Sequence, residues 1–172
     1  MYDFSFVLDA SPADEELEDR LFKAGCDDAT PILQRGSLFL SFNREAPSYK
    51  DAVLSAYENI TASGTGIRCF VPDFLVTPAE IAARSGLTKA AISKYAAPGH
   101  DGNFPSPARV LERRNLYDWV EVSCWLVKRE QLDLQHYQQA IVSRAVNFGV
   151  QAIKLGLTLS VAEHVELELS AA

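Results

Sequence analysis

Residues 75–96, LVTPAEIAARSGLTKAAISKYA, hold two helix starts and one enforced stop, which leaves the backbone few options. Thr77-Pro78-Ala79-Glu80 is a capping box with proline at the first helical position. Ile81, Ala82 and Ala83 continue a short helix until Ser85-Gly86-Leu87 breaks it. Gly86 can enter the left-handed region that a tight exit demands. Leu87 is then placed between the helices, Thr88 caps a second one, and Ile92 faces back to the first. The pattern predicts two short helices joined by a tight turn, a helix-turn-helix over residues 77–95.

The outward positions of the second helix, Thr88, Lys89, Ala90, Ser93 and Lys94, are small, polar or basic. Small residues permit close approach to base edges, and lysine can contact phosphate or guanine. Thr77 and Tyr95, at the two ends of the motif, complete its candidate contact set. Downstream, ARVLE and LYDW are expected to pair across Arg113-Arg114-Asn115, giving a hairpin with arginines at its tip. Asp118 then caps a third helix with Glu121 three residues on and Val122, Trp125 and Leu126 inward. Trp119 and Trp125 read as core anchors.

The order of helix, turn, helix, Phe104-Pro105 loop, hairpin and aromatic-rich helix resembles the winged helix-turn-helix of MerR-type and AlpA/excisionase-type DNA-binding proteins. The resemblance covers residues 75–129, about a third of the chain. It implies that Lys89, Ala90, Ser93 and Lys94 face a DNA groove, and that Arg109, Arg113 and Arg114 lie on the wing. Those families place this motif near the start of the chain, whereas here a further domain precedes it. The cysteine sensor of MerR-type proteins is also missing, so their ligand-sensing rules do not transfer.

That preceding region, residues 1–75, reads as strand, helix, strand, strand, helix, strand. FSFVLD is β-prone. A first helix starts from Ser11 as N-cap and Pro12 at its first position, with Leu17, Leu21 and Phe22 as its apolar stripe and Gly25 at its end. Leu38, Leu40 and Phe42 alternate with Ser37, Phe39 and Ser41 in a possible hairpin about Arg35-Gly36, so one face is expected to be buried. Ser48 caps a second helix with Val53, Leu54, Tyr57 and Ile60 inward, and GIRCFVPDFLV runs as a strand into the next domain. A βαββαβ order predicts an α+β, ferredoxin-like sandwich. The acids Asp14, Glu15, Glu16, Glu18 and Asp19 read as a solvated helix face.

Residues 131–172 are expected to hold a long helix and a tail. Leu134, Ile141, Phe148 and Leu155 recur every seven residues, with Ala145 and Ala152 beside them. Val142, Val146, Val150, Ile153 and Leu157 form a second stripe. A helix apolar on two sides is buried on two sides, and one side suits a second copy of the chain. The first stripe and its alanines are thus candidate dimerisation residues. The tail VAEHVELELS alternates loosely, a pattern open to an added strand that does not fix its place in the fold.

Charge sharpens the functional reading. The whole chain carries −7, yet residues 76–130 hold 8 basic against 6 acidic residues, while residues 1–75 hold 6 against 13. The motif thus lies in the one basic segment. Cys26, Cys69 and Cys124 are scattered without CxxC spacing, and His100, His136 and His164 are equally dispersed, so neither a disulfide framework nor a metal site is expected. No cofactor motif and no G-x-G-x-x-G, P-loop or G-x-S-x-G appears, and no enzyme is expected. No run is long enough to span a membrane. The N-terminus has no basic n-region and turns acidic at once, which predicts a cytoplasmic protein without a secretory signal. The expectation is a homodimeric transcriptional regulator, a repressor or autoregulator, that binds double-stranded DNA by sequence. The alternative is an antitoxin or adaptor whose acidic N-terminal domain binds a basic protein or holds a small effector.

Overall fold

Leu38, Leu40 and Phe42 of β3 (Ser37–Arg44) are buried at alternate positions, the signature of a strand with one face on a core, and Phe4, Phe6 and Leu8 of β1 (Tyr2–Asp9) are buried beside them together with Val7. A computed structural model describes residues 1–11, 14–97, 103–112, 114–157 and 160–171. Among the described residues the chain is a mixed α+β protein of seven helices and two antiparallel sheets. No helix among them is long and apolar enough to cross a membrane. The chain divides into two compact units, Met1–Pro72 with Ala145–Ala172, and Asp73–Arg144. The sequence reading set boundaries at 75 and 130 instead.

In the first unit β1, β3, β2 (Ala29–Gln34) and β4 (Gly66–Val71) form one sheet in the order β2-β3-β1-β4. Arg35 and Gly36, at φ 51° and 75°, turn β2 into β3. This two-residue turn matches strand twist. The core is aromatic: Phe4 stacks on Phe42 at 5.3 Å and Phe6 meets Phe70 edge-on at 5.0 Å. Helix α2 (Tyr49–Ala62) closes this face, its Tyr49 and Tyr57 rings reaching Phe4 and Phe6. Its Ser48 cap accepts from the Asp51 amide, and Val53 and Ile60 are buried as the pattern requires, while Leu54 and Tyr57 are half-buried. Each buried phenylalanine contributes about 2–3 kcal/mol.

Helix α1 (Leu17–Lys23) is shorter than expected. It starts from Glu16, with no side-chain cap, and not from Ser11; Pro12 lies outside the described residues. Leu17 and Leu21 are buried, but Phe22 is exposed, because a two-turn helix presents only one narrow stripe to the sheet. Arg44 ties the segment after α1 to α2. It pairs through two nitrogens with Asp28 at 2.8 Å each, and donates to Ser55, Asn59 and the Gly25 carbonyl.

Helix α6 (Leu134–Lys154) supplies its residues up to Arg144 to the second unit and the remainder to the first. In the first unit it seals the outer edge of β4. Asn147 satisfies both main-chain groups of Phe70, and the Lys154 ammonium donates to the Arg68 carbonyl at 3.3 Å. The helix ends where the Leu157 amide reaches the Ala152 carbonyl and the Gly156 amide that of Ile153. The tail is then a helix, α7 (Val161–Ser170), and not a strand. Ser160 and Glu163 form a capping box, and Val161 and Val165, four apart, are buried on one helical face. Gly149 allows this packing: a Cβ there would stand 2.9 Å from Val161 Cα.

In the second unit β5 (Leu75–Val76), β7 (Arg114–Asp118) and β6 (Arg109–Leu111) form a sheet in the order β5-β7-β6. GIRCFVPDFLV is thus two strands in separate sheets, divided after Val71. Helices α3 (Pro78–Ser85), α4 (Lys89–Tyr95) and α5 (Trp119–Val127) complete the unit with the first part of α6.

Candidate nucleic-acid interface

The capping box at Thr77 forms in full. The Thr77 amide and hydroxyl both donate to Glu80 Oε2 at 2.7 Å, and the Glu80 amide donates to Thr77 Oγ1 at 3.3 Å. Burial opposes ionisation of Glu80, but the two Thr77 hydrogen bonds, with the nearby Arg84 and Arg114 charges, outweigh it and hold the carboxyl below its ordinary range. Gly86 ends α3 in the left-handed region at φ 71°, as the sequence requires. Thr88 caps α4, its hydroxyl accepting from the Ala91 amide at 3.1 Å. Ile81 of α3 and Ile92 of α4 are fully buried, and Leu87 in the turn between the two helices is half-buried.

With Ile92 inward, the remaining face of α4 is left to solvent. Thr88, Lys89, Ala90, Ser93 and Lys94 are all exposed. The face therefore offers two ammonium donors, the Ser93 hydroxyl and the Ala90 methyl on a short helix, with the Thr88 hydroxyl oxygen engaged in the cap at its start. Two candidates play other parts. Thr77 has its hydroxyl engaged in the cap. Tyr95 is half-buried, its ring 5.0 Å from Trp125 and 6.3 Å from Phe104, and its hydroxyl accepts from Gln131 Nε2 at 3.1 Å.

The aromatic cluster holds α4 to α5. Phe104 also meets Tyr117 and Trp125 edge-on, and the Arg129 guanidinium lies 4.2 Å from the Trp125 ring centre. Trp119 is buried, with its amide donating to the Phe74 carbonyl at 2.8 Å. Asp118 caps α5 through the Val120 amide and pairs with Arg144 at 3.1 Å.

The β6–β7 hairpin differs from its expected register. Arg109 pairs with Leu116, Val110 with Asn115 and Leu111 with Arg114. Arg114 and Asn115 are thus strand residues and not the tip, because Leu111 already pairs with Arg114. Arg113 lies outside the described residues. Arg109 and Arg114 are exposed, on the same unit as α4. Val110 and Leu111 of β6 are exposed as well, at 77% and 43%.

Of the candidate dimerisation residues, Ile141, Ala145 and Ala152 are buried within the chain, whereas Leu134, Phe148 and Leu155 are exposed. Among the described residues no group of three or more His, Cys, Asp or Glu could hold a metal ion. Comparison with protein-family models, with curated proteins and with solved structures finds no match to this chain.

Proposed function

We propose that the chain is a sequence-specific double-stranded DNA-binding protein, a transcriptional regulator acting as a homodimer. The single observation that carries this reading is the face of α4: its one buried residue, Ile92, turns inward and every other candidate up to Lys94 is exposed. A short helix held by a tight turn, bearing small residues between two lysines, fits a major groove. The hairpin beside it in sequence suits the role of a wing, with Arg109 and Arg114 on phosphates. The second unit is also the less acidic one, with 9 basic and 8 acidic residues, against 7 and 15 in the first. The strand order β2-β3-β1-β4 supports the ferredoxin-like reading of the first unit. Exposed Phe148 and Leu155, seven residues apart, support a second copy as a partner.

The test is fluorescence anisotropy with duplexes drawn from a random pool, between about 50 and 200 mM salt. Binding should weaken steeply with salt through counterion release. Lys94→Ala should cost about 1–3 kcal/mol if the side chain reads a base, and a sequence-uniform loss if it touches phosphate. No binding to any duplex at low salt would refute the reading. The acidity of the first unit favours a second one, capture of a basic protein partner, which co-purification of such a protein in stoichiometric amount would support.

A further inference from the structure

We infer that the cleft between α1 and the outer strand β2 is a docking groove for a basic peptide segment that carries one aliphatic side chain. The inference rests on the second reading above, capture of a basic partner, and gives that partner a place and a chemistry. Leu21, Cys26, Pro31 and Leu40 line a cleft of about 240 Å³. That volume falls below the range of small-molecule sites and suits one long side chain. Phe22, exposed at 67%, stands on its wall. Leu33, exposed at 60%, lies on the Pro31 face of β2 by strand alternation and continues the apolar surface along the strand. Glu18, Asp19 and Asp27 complete the lining, all three exposed, and it holds no basic residue among the described residues.

The main chain of β2 selects the same occupant. β2 ends the sheet order, so one of its sides has no neighbouring strand. Gln34 and Ser37 flank the two-residue turn and form a hydrogen-bonded pair, so Ala29, Pro31 and Leu33 turn their main-chain groups away from β3. The Ala29 amide already donates to the Cys26 carbonyl at 3.2 Å, and Pro31 has no N–H. The outer edge therefore presents three carbonyls and one amide, that of Leu33. An added strand needs donors and acceptors in turn, so this edge disfavours a strand from a partner or from a second copy. Arginine and lysine side chains donate and never accept. The edge carbonyls and the carboxylates of the rim thus call for cationic side chains, and the apolar floor between them calls for an aliphatic one.

The experiment uses the full chain and short fluorescein-labelled peptides, read by anisotropy. The first peptide has arginine on both sides of a leucine, with glycine and serine elsewhere. Exchanging its leucine for serine should weaken binding about tenfold or more, as the loss of one buried aliphatic side chain would. In the protein, Glu18→Gln with Asp19→Asn should weaken the leucine peptide about fivefold or more. Phe22→Ser should weaken it too. Glu45→Gln with Glu58→Gln makes the same change of charge at residues that do not line the cleft, and should leave binding unchanged. All the altered side chains are exposed, and thermal melting confirms that each variant is folded. Equal binding of the serine peptide, or equal weakening by the Glu45 and Glu58 changes, would overturn the groove and leave capture of a basic partner standing. A dimer that the peptide dissociates would make a second copy the occupant and overturn it as well. No binding of the leucine peptide would also overturn the groove, and the second reading falls with it if no basic protein co-purifies. The duplex measurements decide the DNA reading separately.

Discussion

Asn147 stands in for a missing strand beside Phe70: its Oδ1 accepts from the Phe70 amide at 2.9 Å, and its Nδ2 donates to the Phe70 carbonyl at 3.1 Å. Phe70 lies on β4, the edge strand whose outer main-chain groups have no neighbouring strand to meet. A single carboxamide sets an N–H donor beside an acceptor oxygen, which lets it bond both main-chain groups of one residue. It therefore completes the edge at a site where only 7% of Asn147 is exposed.

Replacing that residue should thus be costly. Asn147→Ala leaves two buried main-chain groups of Phe70 without these partners, and should lower stability by about 1–3 kcal/mol in urea unfolding. Asn147→Asp keeps the acceptor and loses the donor, so it too should destabilise at neutral pH. A variant as stable as the parent would show that water replaces the amide without loss.

Gly149→Ala sets propensity against packing. Alanine favours a helix interior over glycine by about 1 kcal/mol. Here its Cβ would lie 2.9 Å from both Cα and Cγ2 of Val161, so α7 must shift. Main chain yields poorly, and a net loss of about 1–3 kcal/mol is expected. A higher melting temperature in this variant would mean that α7 moves aside without cost.

The Thr77–Glu80 cap should leave a signature in acid. The Glu80 carboxyl is held below its ordinary range when folded, so it stabilises the fold above its unfolded pKa. That contribution fades as pH falls through the lower folded value. Thr77→Ala should cost about 1 kcal/mol at neutral pH and flatten the acid limb of the stability curve. An unchanged acid limb would place the cap outside the stability balance.

Cys26 should be inert to alkylation in the folded protein. Burial pushes its thiol up to about 11, although the Arg44 charge pulls the other way. The thiolate, which is the nucleophile, is then scarce at neutral pH. Stability tied to the neutral thiol persists below the unfolded value and is lost as pH rises towards the folded one. Labelling of native protein by iodoacetamide at pH 8, followed by peptide mapping, should leave Cys26 unmodified until the chain unfolds.

The features read correctly from the residues are those set within a few neighbours. Thr77 and Glu80 are three apart, so their cap is written locally, as are the Ser48 cap and the left-handed exit at Gly86. Leu38, Leu40 and Phe42 alternate in the sequence because they alternate on the strand. The exposed face of α4 was legible for the same reason, since Ile92 fixes which side turns inward.

Features decided at a distance were not legible. Nothing near Phe22 says that its helix starts as late as Leu17 and leaves it outside. The loose alternation of the tail leaves it unplaced by sequence, and the capping box of Ser160 with Glu163 makes it a helix once Val161 and Val165 find a buried face. The hairpin register is set by the pairing of Leu111 with Arg114, which no feature of the neighbouring residues announces. Local caps, stops and periodicities are short-range steric and hydrogen-bonding facts, and the chain states them by itself. Which apolar face finds a partner, and which edge is sealed by a side chain 77 residues away, as Phe70 is by Asn147, depends on surfaces that exist only once the chain has folded.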